Sequence, residues 1–329
     1  MHIKRYILPV CPQVWAAFLS VILVFAGCKK EATPPVWTRK ADFPEPTGSS
    51  KVPIEAFALN GKGYFLNKSY SEKGFWEYDP AADTWQKKAD PPAVLGVGAA
   101  TFAVANKGYL FYDGASTTAP NDLYEYDPAT DKWTLRSEMP AVSRFFPTAF
   151  TIGSKAYVGL GVRSGLIFGL TDFYEYDPAT DKWTRKADFP SDKRRAGLVA
   201  FGIGNKGYAG MGLENSTAKY KDFYEYDPAT DKWTAKRDFP GEGRFGPVCF
   251  AAGGKGYAGM DDDMETAIAD FWAYDPGSDA WTKQMEFVEG PRPEAAGIFI
   301  NGKLYMGMGY KRSEQTNTYQ SDWWEYPIR

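Results

Sequence analysis

The chain has 329 residues, 16% of them aromatic, with 33 glycines, 23 prolines and a formal net charge of −3. That mixture favours short strands joined by tight turns over helices, and the acidic balance argues against nucleic acid as a partner. The one histidine is His2, so the rest of the chain has none to offer as a copper or zinc ligand or as the base of a Ser-His-Asp or Cys-His nucleophile.

In chain order the first element is a leader. Lys4 and Arg5 precede an uncharged, mostly apolar stretch from Val14 to Gly27, shorter than the ~20 residues of a comfortable membrane span. Residues 1–27 therefore read as a signal peptide. The stretch ends Val24-Phe25-Ala26-Gly27-Cys28, which resembles a bacterial lipobox. That resemblance implies cleavage before Cys28, lipidation of Cys28, and anchoring on the surface of a membrane, with the outer membrane as the expected location. An ordinary signal peptide ending near a cysteine is the alternative. Residues 28–36 form the lipidated cysteine and a tether. Within it Lys29-Lys30-Glu31 is similar to signals that send lipoproteins to the cell surface; a plain polar spacer is the other reading. Loss of Lys4 and Arg5 with the leader takes the 38 basic side chains to 36, against 41 acidic, a net charge of −5. Cys249 is then the one thiol left, so no intramolecular disulfide is available. It lies in Pro247-Val-Cys-Phe-Ala251, a strand pattern, as a small buried apolar residue.

From residue 37 onward the chain repeats. Trp37, Trp85, Trp133, Trp183, Trp233 and Trp281 recur every 48 to 50 residues. Five of them follow near-copies of one segment, at Phe75–Pro80, Leu123–Pro128, Phe173–Pro178, Phe223–Pro228 and Phe271–Pro276, and a sixth copy, Trp323-Trp-Glu-Tyr-Pro327, closes the chain. Each repeat reads as four strands, a to d. In residues 144–186 these are Phe146–Ile152, Ala156–Leu160, Phe173–Tyr176 and Lys182–Arg185. The turn Asp177-Pro-Ala-Thr-Asp181 between the last two has the Asp and Pro positions of a type I turn. Four antiparallel strands per repeat describe a propeller blade. Six units fill 37–329, with an orphan strand d at Trp37 and an orphan strand c at Trp323–Tyr326. The N-terminal strand is thus expected to complete the last blade and close the ring, which removes exposed edges.

The Tyr-Asp-Pro and Trp spacing resembles the kelch repeat family over essentially the whole of 37–329. The resemblance implies an all-β, six-bladed kelch-type β-propeller of the galactose oxidase/kelch superfamily. The Gly-Gly pair usual after strand b is replaced by Gly159-Leu-Gly161, Gly210-Met-Gly212 and Gly307-Met-Gly309, a divergent bacterial pattern.

Antiparallel strands sort the loops onto two faces. The a–b and c–d turns are uniform, as turn geometry demands. The d–a and b–c loops vary, and variable loops on a rigid scaffold are where binding residues sit. On that face, eleven residues before the lysine of each a–b turn, stand Lys51, Gly96, Arg144, Arg195, Arg244 and Arg292. Five of six are basic and each begins the innermost strand. They ring the channel mouth as a site for carboxylate or sulfate, or they serve blade-to-blade ion pairs. Glu77, Glu125, Glu175, Glu225 and Glu325 are repeated and structural, as are Asp122, Asp172, Asp222, Asp270 and Asp322. Glu55 and Glu294 break the repeat in innermost strands, Glu294 two residues after Arg292 and on the same side of it. Asp261-Asp-Asp263 with Glu265 is a solvated cluster or a Ca²⁺ site without an EF-hand pattern. Tyr112, Phe168, Tyr220 and Tyr310 in the b–c loops are candidates for stacking on a sugar or peptide.

No catalytic set, cofactor motif or metal site is assigned. The leading expectation is a monomeric, non-enzymatic envelope module that binds a glycan or an envelope protein through the d–a/b–c face. The runner-up is an enzyme on acidic sugars at the channel mouth, similar to the secreted kelch sialic-acid mutarotases. A structural spacer is the third reading.

Overall fold

A computed structural model describes residues 35–45, 52–68, 73–92, 99–113, 121–163, 169–191, 195–214, 218–261, 268–313 and 316–328. The leader, Cys28, Lys51, Gly96, Phe168, Asp262–Asp263 and Glu265 lie outside these residues. Among the described residues every regular element is a strand.

The chain from Pro35 to Arg329 is one compact unit. It opens with β1 (Thr38–Lys40) and then lays down six blades. Blade 1 is β2–β5 (Val52–Leu59, Lys62–Lys68, Phe75–Asp79, Thr84–Lys87), and blade 2 is β6–β9 (Ala99–Val104, Lys107–Asp113, Asn121–Asp127, Lys132–Leu135). Blade 3 is β10–β13 (Thr148–Ile152, Lys155–Gly159, Phe173–Asp177, Lys182–Lys186). Blade 4 is β14, β15, β18 and β19 (Val199–Ile203, Lys206–Gly210, Phe223–Asp227, Lys232–Lys236), with the ribbon β16–β17 (Leu213–Glu214, Ala218–Lys219) in its b–c loop. Blade 5 is β20–β23 (Val248–Ala252, Lys255–Gly259, Asp270–Asp275, Ala280–Glu286). Blade 6 is β24, β25 and β28 (Ala296–Ile300, Lys303–Gly307, Trp323–Pro327), with the ribbon β26–β27 (Tyr310–Arg312, Asn317–Tyr319) in its b–c loop. The innermost strands β2, β6, β10, β14, β20 and β24 each touch the next, and β24 touches β2, so the ring is closed.

Closure is made as the strand count predicts. β1 pairs antiparallel with β28, Thr38 opposite Glu325 and Lys40 opposite Trp323, and supplies the fourth strand of blade 6. The indole Nε1–H of Trp37 donates to the Glu286 carbonyl of blade 5 at 2.7 Å.

The repeated residues form one clasp between neighbouring blades. In blade 3 the turn residue Asp181 is left-handed (φ 51°), a conformation that a short polar side chain tolerates. Its Oδ1 accepts from the Tyr176 hydroxyl at 2.8 Å and from the Ser137 amide of blade 2 at 3.0 Å. Trp183 Nε1–H then donates to the Ser137 carbonyl at 2.9 Å. Both backbone groups of one residue are thus held by the next blade. Asp83 with Trp85, Asp131 with Trp133, Asp231 with Trp233 and Asp279 with Trp281 repeat the arrangement on Ala41, Ala89, Ala187 and Arg237. Close packing follows between blades: a Cβ on Gly256 would lie 1.9 Å from the Phe201 ring of blade 4. The strand-c glutamates are also absorbed by structure. Glu175, for example, accepts from Tyr157 at 2.8 Å and from Lys155 at 2.6 Å.

Candidate functional site

The first residues of the innermost strands converge on the axis because strand a is innermost in every blade. They enclose a cavity of about 290 Å³, lined by all six blades, at the end of the channel that carries the d–a and b–c loops. Blade 1 contributes Glu55 and Ala56, blade 2 Thr101, blade 3 Phe146 to Ala149, blade 4 Gly197, blade 5 Gly246 and Cys249, and blade 6 Glu294 and Ala295. The two symmetry-breaking carboxylates noted in the sequence are therefore brought to one cavity, from adjacent blades. Glu55 Oε2 faces the Thr101 hydroxyl at 3.5 Å, and that hydroxyl donates to the Ala56 carbonyl at 3.0 Å. Cys249, half-buried in the same wall, donates its thiol to the Ala200 carbonyl at 3.3 Å. Burial pushes that thiol up, and the Glu55 carboxylate adds in the same direction, so it is a poor nucleophile.

The d–a junctions set the upper rim. Phe146, Gly197, Gly246 and Glu294 occupy one equivalent position, two residues after each arginine, and all four are left-handed (φ 50°, 59°, 54° and 55°). Glycine takes that conformation without cost; a phenylalanine and a glutamate there are uncommon.

The arginines themselves do not line the cavity. Arg144, Arg195, Arg244 and Arg292 are 0–3% exposed. Each pairs with the aspartate that precedes or begins strand c of its own blade, namely Asp172, Asp222, Asp270 and Asp322. The sequence reading allowed ion pairs between blades; the pairing is within each blade. Arg292 is typical. It donates to Asp322 Oδ1 at 2.6 Å and Oδ2 at 3.1 Å, and to the Met308 carbonyl at 2.7 Å. Burial alone would raise the Asp322 carboxyl, but hydrogen bonds from Arg292 and Trp324 and the arginine's charge outweigh it and hold the group below the usual carboxylate range. Arg195 also lies 4.3 Å over the Tyr220 ring.

Tyr112 is not in a loop: it is the sixth residue of β7, opposite Ala99 of β6, because strand b of blade 2 runs on to Asp113. Tyr310 begins the ribbon in blade 6, is 3% exposed and meets Tyr319 at a tilt, with ring centroids 5.5 Å apart. Of the acidic run, Asp261 turns inward. It is 2% exposed, pairs with Lys219 of blade 4 and accepts from the Phe245 amide at 3.1 Å. Among the described residues no group of three or more metal-ligating side chains is assembled.

The rim also holds a contact that the repeat does not require. Phe146 of blade 3 and Phe245 of blade 5 meet edge to face, ring centroids 5.6 Å apart, across the intervening blade 4. Gly197 makes this possible: a Cβ there would lie 2.5 Å from Phe245 Cδ2. The only sequence signal is aromatic residues after two of the arginines, with glycine at the equivalent place between them.

No family model matches the chain, and no curated protein does. Among solved structures the chain is similar to that of YjhT, at 17% identity and a TM-score of 0.68, over 86% of this chain and 96% of that one. At that identity the likeness speaks for the six-bladed propeller fold alone.

Proposed function

We propose that the protein is a non-enzymatic binding module of the cell envelope that seats the end of a glycan in the axial cavity on its d–a/b–c face. The observation that carries this reading is the cavity itself, which breaks the sixfold repeat with Glu55 and Glu294 where the other blades offer small or apolar groups. Its 290 Å³ lies at the lower edge of the ~300–1,000 Å³ of small-molecule sites. That size suits a small group or chain end better than a folded partner. Carboxylates accept hydrogen bonds from sugar hydroxyls at both oxygens. The acidic-sugar enzyme has less support, because the four described arginines that would meet a ligand carboxylate are committed to aspartates of their own blades.

Membership of the kelch family, lipidation at Cys28 and an outer-membrane position of a monomer complete the proposal. They rest on the repeat and on the Ala26-Gly27-Cys28 junction. Incorporation of labelled palmitate, lost in Cys28→Ala, tests the anchor. For the site, the full chain in detergent is screened on a glycan array beside the Glu55→Gln/Glu294→Gln variant. Glycans bound by the parent and weakened at least tenfold in the variant are expected. Retention of every glycan and protein partner by the variant would refute the reading. Anomer exchange above background in saturation-transfer NMR would replace it with the enzymatic one.

A further inference from the structure

The cavity has two unlike halves. Blades 6 and 1, which are neighbours in the ring, supply the carboxylates Glu294 and Glu55. Blade 3 stands opposite blade 6 and supplies Phe146. Phe245 leans from blade 5 over Gly197 to meet Phe146, so the two rings cover the blade 3–5 side of the rim. Phe146 lines the cavity itself, and Phe245, half-buried like it, extends that wall at the rim just outside the lining. Three features build this wall and none is required by the repeat. Phe146 holds a left-handed backbone where blades 4 and 5 use glycine. Blade 4 carries Gly197, without which the Phe245 ring would not fit. Asp261, in place of the glycine that follows strand b in blades 3, 4 and 6, fixes the Phe245 amide at 3.1 Å and is itself tied to Lys219.

From this division we infer that the axial site is shaped for a single pyranose ring, with Phe146 and Phe245 as the stacking wall and Glu55 and Glu294 as hydroxyl acceptors across the axis. A pyranose is itself two-sided. Its axial C–H bonds form an apolar face with partial positive charge, which suits the negative face of an aromatic ring. Its hydroxyls lie around the edge, where the carboxylates can accept them. An acyclic polyol has the hydroxyls without the face. The inference rests on the proposal that this cavity binds a glycan, and adds which chemistry selects it.

The test uses the full chain in detergent with methyl β-glucopyranoside, methyl β-galactopyranoside and methyl α-mannopyranoside as probes, and glycerol as the ring-less control. Binding is followed by calorimetry and by saturation transfer from protein to probe. The expected result is binding of at least one pyranoside, with its axial C–H protons the most strongly saturated, and none of glycerol. Phe245→Leu should weaken it about 3- to 10-fold, while Phe245→Tyr retains it. Phe146→Leu should act in the same direction. Unchanged melting temperatures check that the variants fold. Equal affinity for the parent, Phe146→Leu and Phe245→Leu would overturn the stacking wall while leaving the cavity as the site. Array glycans that are lost in Glu55→Gln/Glu294→Gln, with no pyranoside bound by the parent, would overturn the pyranose and leave the binding module standing.

Discussion

Asp322→Ala is the most informative single perturbation of the scaffold. Arg292 is 1% exposed and its guanidinium donates two hydrogen bonds to the Asp322 carboxylate, at 2.6 and 3.1 Å. Removing that carboxylate leaves a buried cation with the Met308 carbonyl as its main remaining acceptor. Breaking a buried pair in this way costs about 3–5 kcal/mol. At about 2 °C per kcal/mol for a domain of this size, the melting temperature should fall by roughly 6–10 °C. The double variant Arg292→Met/Asp322→Leu removes both charges and fills the space with apolar atoms. It should return to within about 1 kcal/mol of the parent, because the desolvation of the pair disappears along with its attraction. Differential scanning calorimetry on the parent, Arg292→Met, Asp322→Leu and the double variant completes the cycle, with Asp322→Ala measured beside them. A loss below about 1 kcal/mol in Asp322→Ala, or a double variant no more stable than the weaker single, would refute the view that the arginine is held in place chiefly by its own blade's aspartate.

Three further outcomes follow from the same geometry. Asp181→Ala should cost about 2–3 kcal/mol in urea unfolding, because it strips the acceptor from Tyr176 and from the Ser137 amide; Asp181→Asn, which keeps one oxygen and tolerates φ 51°, should cost less than half of that. Gly256→Ala should destabilise by about 1–3 kcal/mol through overpacking against Phe201, and Phe201→Leu should relieve part of it when combined. Stability should be flat from about pH 5.5 to 8, since no histidine follows His2, and should fall below about pH 4. Asp181, Asp231, Asp279 and Asp322 all bind protons less readily folded than unfolded, despite burial, which alone would raise them. Their contribution is therefore complete above the unfolded carboxylate value and is lost as the pH drops through the depressed folded values. A urea midpoint that changes between pH 6 and 7 would contradict this.

Much of the scaffold is legible without coordinates because it is written in short-range terms. Asp177-Pro-Ala-Thr-Asp181 forms its turn from its own atoms, Asp177 Oδ1 accepting from the Ala179 amide at 3.0 Å. The six tryptophans count the blades, and the unmatched strands at Trp37 and Trp323 leave one way to close the ring. The fate of the arginines was harder to read. Their aspartates lie 26 to 30 residues downstream, across b–c loops of unequal length, so no constant spacing marks the pairs. Asp261 reads as the start of a solvated acidic run, yet it is buried because Lys219 arrives from another blade.

By itself the sequence determined the number of blades, the strand that closes them and the face on which the loops differ. These depend on periodicity and on turn chemistry within a few residues. Only the tertiary structure decided what stands on the axis. There, positions from six non-identical blades meet at once: Glu294 comes to lie across from Phe146, and Phe146 reaches Phe245 past Gly197. Closing the ring brings together residues about 50 to 240 positions apart in the chain, and no repeat unit taken alone contains that information.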